Sequence, residues 1–214
     1  MKGDTLLRVG LTGGLASGKS FVGDTLVELG CHLLKADEVG HHLLLPGGRA
    51  VDAVVREFGP EVQDAQGGIL RPALAALVFG KPDRLQVLNQ IVHPLVFEEE
   101  ERFLDDLVAR DPKAIAVVEA AILIESGNYR NFDKIVVAWC PREMQIERAV
   151  HRGLSREAAE ARIAHQLPLE EKLSYADAVV DTSGSKEETY ERVIDLHRQL
   201  LAWVAAPPDG CNTR

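Results

Sequence analysis

Gly13, Gly14, Gly18, Lys19 and Ser20 carry the strongest chemical signal in the chain, inside the stretch GLTGGLASGKS (10–20). From Gly13 the spacing is G-x-x-x-x-G-K-S, the pattern of a loop that wraps phosphate groups. Each residue type has a physical reason. Glycines let main-chain amides converge on phosphate oxygens with no Cβ in the way. A helix starting at the end of the loop adds its positive N-terminus. Lys19 sets a point charge against β- and γ-phosphates, and the Ser20 hydroxyl is suited to ligate Mg2+. Gly13, Gly14, Ala16, Ser17, Gly18, Lys19, Ser20 and Phe21 are therefore the expected phosphate- and nucleotide-binding set. No register of these glycines gives G-x-G-x-x-G, so a dinucleotide fingerprint is excluded.

A carboxylate and two arginines extend the set. Asp37 is expected to close the second strand, on the sheet edge that also carries the loop. There it can accept a proton from an attacking hydroxyl or hold the water shell of Mg2+. The plainer alternative is a helix N-cap for EVGHHLL. Arg148 and Arg152 are four apart on a helical stretch and share a face. Mobile arginines of this kind close over a transferring γ-phosphate. The plainer alternative is a solvent face paired with Glu143 and Glu147. His93, beside Pro94, suits a substrate contact better than a general base. His41-His42 lacks a third metal ligand, and EEEER (98–102) suits a solvated helix face.

The elements that must position these residues follow from patterning. LLRVGLT (6–12), CHLLKAD (31–37), IAVVEAAIL (115–123), KIVVAWC (134–140) and DAVVD (177–181) have strand character, and helical patterns lie between them. Continuous apolar strands alternating with helices imply an α/β sandwich around a mostly parallel sheet. KSFVGDTLVELG (19–30) is a helix stopped at Gly30. Between Gly47 and Arg110 three helices are expected: PALAALVF, DRLQVLNQIV, and PLVFEEEERFLDDLVAR with Pro94 in its first turn. A second helical insertion runs over 141–168, with Ser155 as an N-cap. The last helix spans Lys186 to Val204 and precedes a short tail.

Composition narrows the class. The 214 residues are 46% hydrophobic and 27% charged, with a net charge of −9, so a single globular domain with lobes is expected and a nucleic-acid binder is not. Cys31, Cys140 and Cys211 form no CxxC or Cys/His cluster, which argues against a disulfide framework or a zinc site. No signal peptide and no apolar run of about 20 residues is visible. A cytoplasmic protein without membrane contact, monomeric or a small homo-oligomer, is the expectation.

From about Val9 to Leu200 the motifs resemble the dephospho-CoA kinase family. GLTGGLASGKS is similar to its Gly-Gly phosphate loop. ADEVGHHLLLPGG, LRPALAALVFGKPDRLQVLNQIVHPLV, ILIESG, ERAVHRGLSREAAEARIAHQLPLEEK and ADAVVDTSGS fall at familiar places. Three departures stand out. Lys35-Ala36-Asp37 replaces the usual Asp-Ala-Asp, Ala121 to Glu125 replaces Pro-Leu-Leu-Phe-Glu, and Thr182 stands for Asn. The resemblance implies a P-loop NTPase-type sheet with a helical substrate lobe and a helical lid. It also implies ATP and dephospho-CoA as substrates, Mg2+ as cofactor, and transfer to the ribose 3′-hydroxyl. Catalysis then falls to Asp37, Lys19, Arg148 and Arg152. The acceptor would be bound by Asp37, Arg71, His93 and Glu125, and Mg2+ by Ser20, in part through water with Asp37. The implied organisation is a nucleotide-binding core (1–46, 111–141, 173–206), an acceptor-binding insertion (47–110), a lid (142–172) and a tail (207–214). Two rivals remain: another P-loop nucleoside or nucleotide kinase, and a non-catalytic ATP-dependent switch. A GTPase is excluded, since no Asn-Lys-x-Asp is present and DEVG (37–40) is a chance match to D-x-x-G.

Overall fold

The structure is a computed structural model that describes residues 6–205. Its sheet contains β1 (Leu7–Gly13), β2 (His32–Lys35), β3 (Ile115–Glu119), β4 (Lys134–Trp139) and β5 (Ala178–Asp181), in the order β2-β3-β1-β4-β5. β1 pairs in parallel with β3 and with β4, and β4 with β5. Parallel neighbours need crossovers that cover the faces of the sheet, so their strands are apolar without alternation. All of β3 is buried, as is the middle of β4. Two helices, α1 (Lys19–Glu28) and α9 (Lys186–Ala205), supply apolar cover. Val22 and Leu26 of α1 and Val193, Leu196 and Leu200 of α9 pack into one core with Val9, Leu11, Val117 and Val136. Parallel pairing brings the strands' carboxyl ends to one edge. Gly13, Glu119, Trp139 and Asp181 end their strands there, beside the loop that follows β1.

Residues Lys35–Phe103 form a compact unit of their own, and the rest of the chain forms the other. The first unit holds α2 (Ala36–His42), α3 (Val51–Phe58), α4 (Arg71–Val78) and the first part of α5 (Pro82–Arg110). Leu43, Val54, Phe58, Val62, Ile69, Leu74 and Val96 are buried in it. Its loops are pinned by main-chain bonds: Ile69 N–H donates to Leu44 O at 2.8 Å and Leu70 N–H to Val62 O at 2.7 Å. In the sheet unit, β4 leads into α6 (Arg142–His151), α7 (Arg156–Ala164) and α8 (Leu169–Lys172). Ser155 is the N-cap of α7 as expected, its hydroxyl accepting from Ala158 N–H at 3.1 Å.

Three local expectations are corrected. DRLQVLNQIV and PLVFEEEERFLDDLVAR are one helix, α5, with Pro94 in its interior. Proline withholds one N–H, here from the carbonyl of Gln90. Gln90 and Pro94 are both exposed, so water can take that carbonyl and the helix continues. Next, α3 was not anticipated, although Val51, Val54 and Phe58 recur at helical spacing and are buried. Last, the second strand ends at Lys35, and Asp37 lies in the first turn of α2 rather than closing the strand. Lys35 occupies the N-cap position, so Asp37 does not cap this helix; with Glu38 it complements the positive helix end.

Among the described residues, no helix is long and apolar enough to cross a membrane. Cys31 and Cys140 are buried thiols, while Cys211 and the expected tail at 207–214 lie outside the described residues. Pro94→Ala restores the missing donor in an exposed turn and should raise the unfolding free energy by about 1–3 kcal/mol. Urea denaturation measures this; a loss of stability would show that the ring packs rather than interrupts.

Candidate active site

The loop between β1 and α1 turns on two left-handed residues. Ala16 has φ 55° and Gly18 φ 88°. For an L-residue with a Cβ that conformation costs about 1–2 kcal/mol, so the surroundings must hold Ala16 there. Gly18 faces a second constraint, because a Cβ on it would lie 2.9 Å from Thr182 Oγ1. Thr182, just past β5, is only 3% exposed. Its hydroxyl donates to Ser17 O at 2.6 Å, and its N–H donates to Trp139 O at 2.8 Å. Thr182 thus ties the loop to the ends of two strands.

Lys19 opens α1, and its ammonium donates to Glu119 Oε1 at 2.8 Å. The Ser20 hydroxyl donates to the same oxygen, also at 2.8 Å. Glu119 ends β3, next to β1 in the sheet, and is 3% exposed. Its other oxygen, Oε2, is buried without a hydrogen-bond partner. Buried polar atoms are rarely left unpaired, so this oxygen is an exception in an otherwise satisfied cluster. The cluster therefore unites an ammonium, a hydroxyl and a carboxylate beside the N-terminus of α1.

Arg148, in the last turn of α6, reaches the same loop from the other side. Its Nη2 donates to Thr182 O at 2.6 Å and its Nη1 to Thr182 Oγ1 at 3.2 Å. The alternative pairing with Glu143 does not form, since Glu143 takes Arg156 at 2.6 Å. Arg152 is the C-cap of α6 rather than part of its body. Arg148 and Arg152 line a cavity of about 310 Å³ together with Gly18, Phe21, Thr182 and Lys186. Three lining cations suit an anionic ligand.

Glu125 has a structural engagement. Its Oε1 accepts from Leu167 N–H at 2.9 Å and lies 2.9 Å from Lys172 Nζ. Lys172 is fully buried and also donates to Ala121 O at 2.7 Å. The Ala121–Glu125 segment is thereby clasped to the end of the α7–α8 region.

The remaining expected residues belong to the Lys35–Phe103 unit. Asp37 is exposed in the first turn of α2. Arg71 opens α4, with Nη1 3.2 Å from His41 Nδ1. His93 is half-buried in α5 with its ring 5.9 Å from that of Phe97. Burial lowers its pKa below the ordinary 6.5, so the imidazole is neutral near pH 7.

Fold and site define a P-loop kinase. A model of the family "Dephospho-CoA kinase" matches residues 7–188. The chain is 39% identical over 193 residues to a dephospho-CoA kinase of Aquifex aeolicus, covering 90% of this chain and 97% of that protein. It is 40% identical over 200 residues to one of Aromatoleum aromaticum, covering 92% and 96%. A crystal structure from Thermus thermophilus shares 32% identity at a TM-score of 0.77, covering 91% of this chain and 97% of that one. The chain belongs to the dephospho-CoA kinase family.

Sequence reasoning missed Glu119 and the tie made by Thr182. Glu119 had a signal, as an acid ending an apolar β-branched run. Thr182 had none, since its partners all lie on distant segments.

One consequence concerns pH. The native state resists protonating His93, whereas the unfolded chain takes the proton near pH 6.5. Stability should therefore be flat above that value and fall as pH drops below it. Urea denaturation from about pH 7.5 to about pH 5.5 should show a smaller loss for His93→Gln than for the wild type; equal losses would contradict the assignment.

Proposed function

We propose that the chain transfers the γ-phosphoryl group of ATP to the 3′-hydroxyl of the dephospho-CoA ribose, giving coenzyme A in the last step of its synthesis. The observation that carries this reading is the Lys19–Glu119–Ser20 cluster at the head of the phosphate loop, in a chain of this family. Loop amides and the N-terminus of α1 receive the β- and γ-phosphates. Lys19 leaves Glu119 for the γ-phosphate, and Arg148 and Arg152 neutralise charge that spreads over its oxygens. Asp37 accepts the 3′-hydroxyl proton as that oxygen attacks γ-phosphorus, and the bond to the β,γ-bridging oxygen breaks to release ADP. Arg71 and the neutral His93 contact the acceptor, with Glu125 at its margin. The 47–110 insertion holds the pantetheine arm, and 142–172 acts as the lid.

Mg2+ fits the residues present: Ser20 Oγ and Glu119 are hard oxygen donors 2.8 Å apart, and Oε2 is an orphan. Ser20 would ligate the ion, while Glu119 and Asp37 would hold its waters. When bound there, the ion would supply positive charge against the charge that develops on the transferring phosphate.

A coupled ADP-release assay tests the reaction. Turnover should require dephospho-CoA and Mg2+. Faster turnover with AMP or a nucleoside would favour another kinase, and slow ADP release that no acceptor accelerates would favour a switch. Asp37→Asn should lower kcat by about 10²–10⁴-fold with ATP affinity largely kept; near-normal kcat removes Asp37 from the base role. Glu119→Gln should raise the Mg2+ concentration for half-maximal rate by about 10–100-fold, as for lost outer-shell support. An unchanged Mg2+ requirement would take Glu119 out of the metal site.

A further inference from the structure

We infer that Gln145 and Gln166 are positioning residues that hold the phosphate loop in its anion-binding shape from the α6–α8 segment. Both act on one residue, Leu15. Its N–H donates to Gln166 Oε1 at 2.8 Å, and its carbonyl accepts from Gln145 Nε2 at 2.9 Å. The two polar groups of Leu15 are thus bound by side chains 130 and 151 residues away. The carbonyl bond matters most for shape. It fixes the Leu15–Ala16 peptide plane, whose rotation sets φ of Ala16, the left-handed non-glycine of the loop.

Two independent observations support the same grip. The side chains of Leu15 and Ala16 pack with Ile146 and Ala149 of α6, Ala159 and Ile163 of α7, and Leu154 between those helices. The second glycine of the Gly13-Gly14 pair has a matching reason: a Cβ on Gly14 would lie 2.2 Å from Gln145 Nε2. Gln145 is itself 3% exposed, so its amide is built into the loop rather than resting on it. The roof of the loop and the base of the proposed lid are one packed body. Unseating these helices releases the Leu15–Ala16 peptide, and seating them restores the bend that aims the following amides.

This inference rests on the proposal that the loop binds the triphosphate of ATP. Its test separates the two. Calorimetry on the full chain would compare ATP, tripolyphosphate and adenosine as probes. If wild type binds neither ATP nor tripolyphosphate, the functional reading fails. If it binds both, Gln145→Ala and Gln166→Ala should weaken each by about three- to tenfold, the size of a lost held bond, while adenosine affinity stays within twofold. The paired variants Gln166→Glu and Gln145→Glu give the sharper readout. Glutamate at 166 still accepts from Leu15 N–H and should restore affinity relative to Gln166→Ala. Glutamate at 145 cannot donate to the Leu15 carbonyl and should not. Unchanged tripolyphosphate affinity in both alanine variants, equal loss of adenosine binding, or failure of Gln166→Glu to improve on Gln166→Ala would each overturn the proposal.

Discussion

A short length of main chain must hold a bend that includes a left-handed alanine. That constraint organises the sheet unit. The bend needs Ala16 and Gly18 left-handed, and it needs Gly14 and Gly18 bare, because Gln145 and Thr182 fill the room their Cβ atoms would take. Within the loop, Ser17 N–H donates to Gly14 O at 3.2 Å and supports this bend directly. The shape is held from outside, by Thr182 on Ser17 O, by two glutamines on Leu15, and by β1 fixed between β3 and β4. Each net hydrogen bond contributes about 1 kcal/mol, so a few of them offset the cost of one left-handed alanine.

Charge imposes the second requirement. Lys19 is nearly buried beside the positive end of α1, where an unpaired ammonium would be costly. Glu119 supplies the missing anion at 2.8 Å and shares the oxygen with Ser20. In the proposed reaction a phosphate replaces that carboxylate as the partner of Lys19. Glu119 then needs a cation of its own, and the hydroxyl beside it and its unpaired second oxygen suit the water shell of a divalent ion. In that proposal the residue that pairs with Lys19 would become an outer partner of the metal.

Much of this was legible in the sequence, for reasons that differ by residue. The loop could be found because its chemistry demands fixed spacing: Gly13, Gly18, Lys19 and Ser20 are neighbours in sequence and in space. The parallel sheet could be found because burial on both faces leaves unbroken runs such as IAVVE and KIVVAW. Arg148 could be named from its face on α6, but its partner could not, because Thr182 O is a main-chain atom thirty-four residues on. The bonds of Glu125 to Lys172 and Leu167 N–H were hidden by the same distance effect. Pro94 misled because a local rule, proline at a helix start, gave way to a helix that could leave one carbonyl to water.

An acidic chain with a net charge of −9 must still attract polyanions, and the arrangement of its charges explains how. In the Lys35–Phe103 unit the acidic run of α5 is locally neutralised, with Arg49 against Glu98 and Glu99, and Arg102 against Glu99. Around the loop the balance is reversed. Arg148 spends its donors on a neutral threonine rather than on an acid, so its charge is uncancelled by any ion pair in that contact. Arg152 and Lys186 stand on the same cavity wall, and the helix end adds a further partial positive charge. Net charge is a sum over the whole surface, whereas a phosphate responds to what lies within about a Debye length, roughly 8–10 Å. The loop can therefore be an anion site inside an acidic protein.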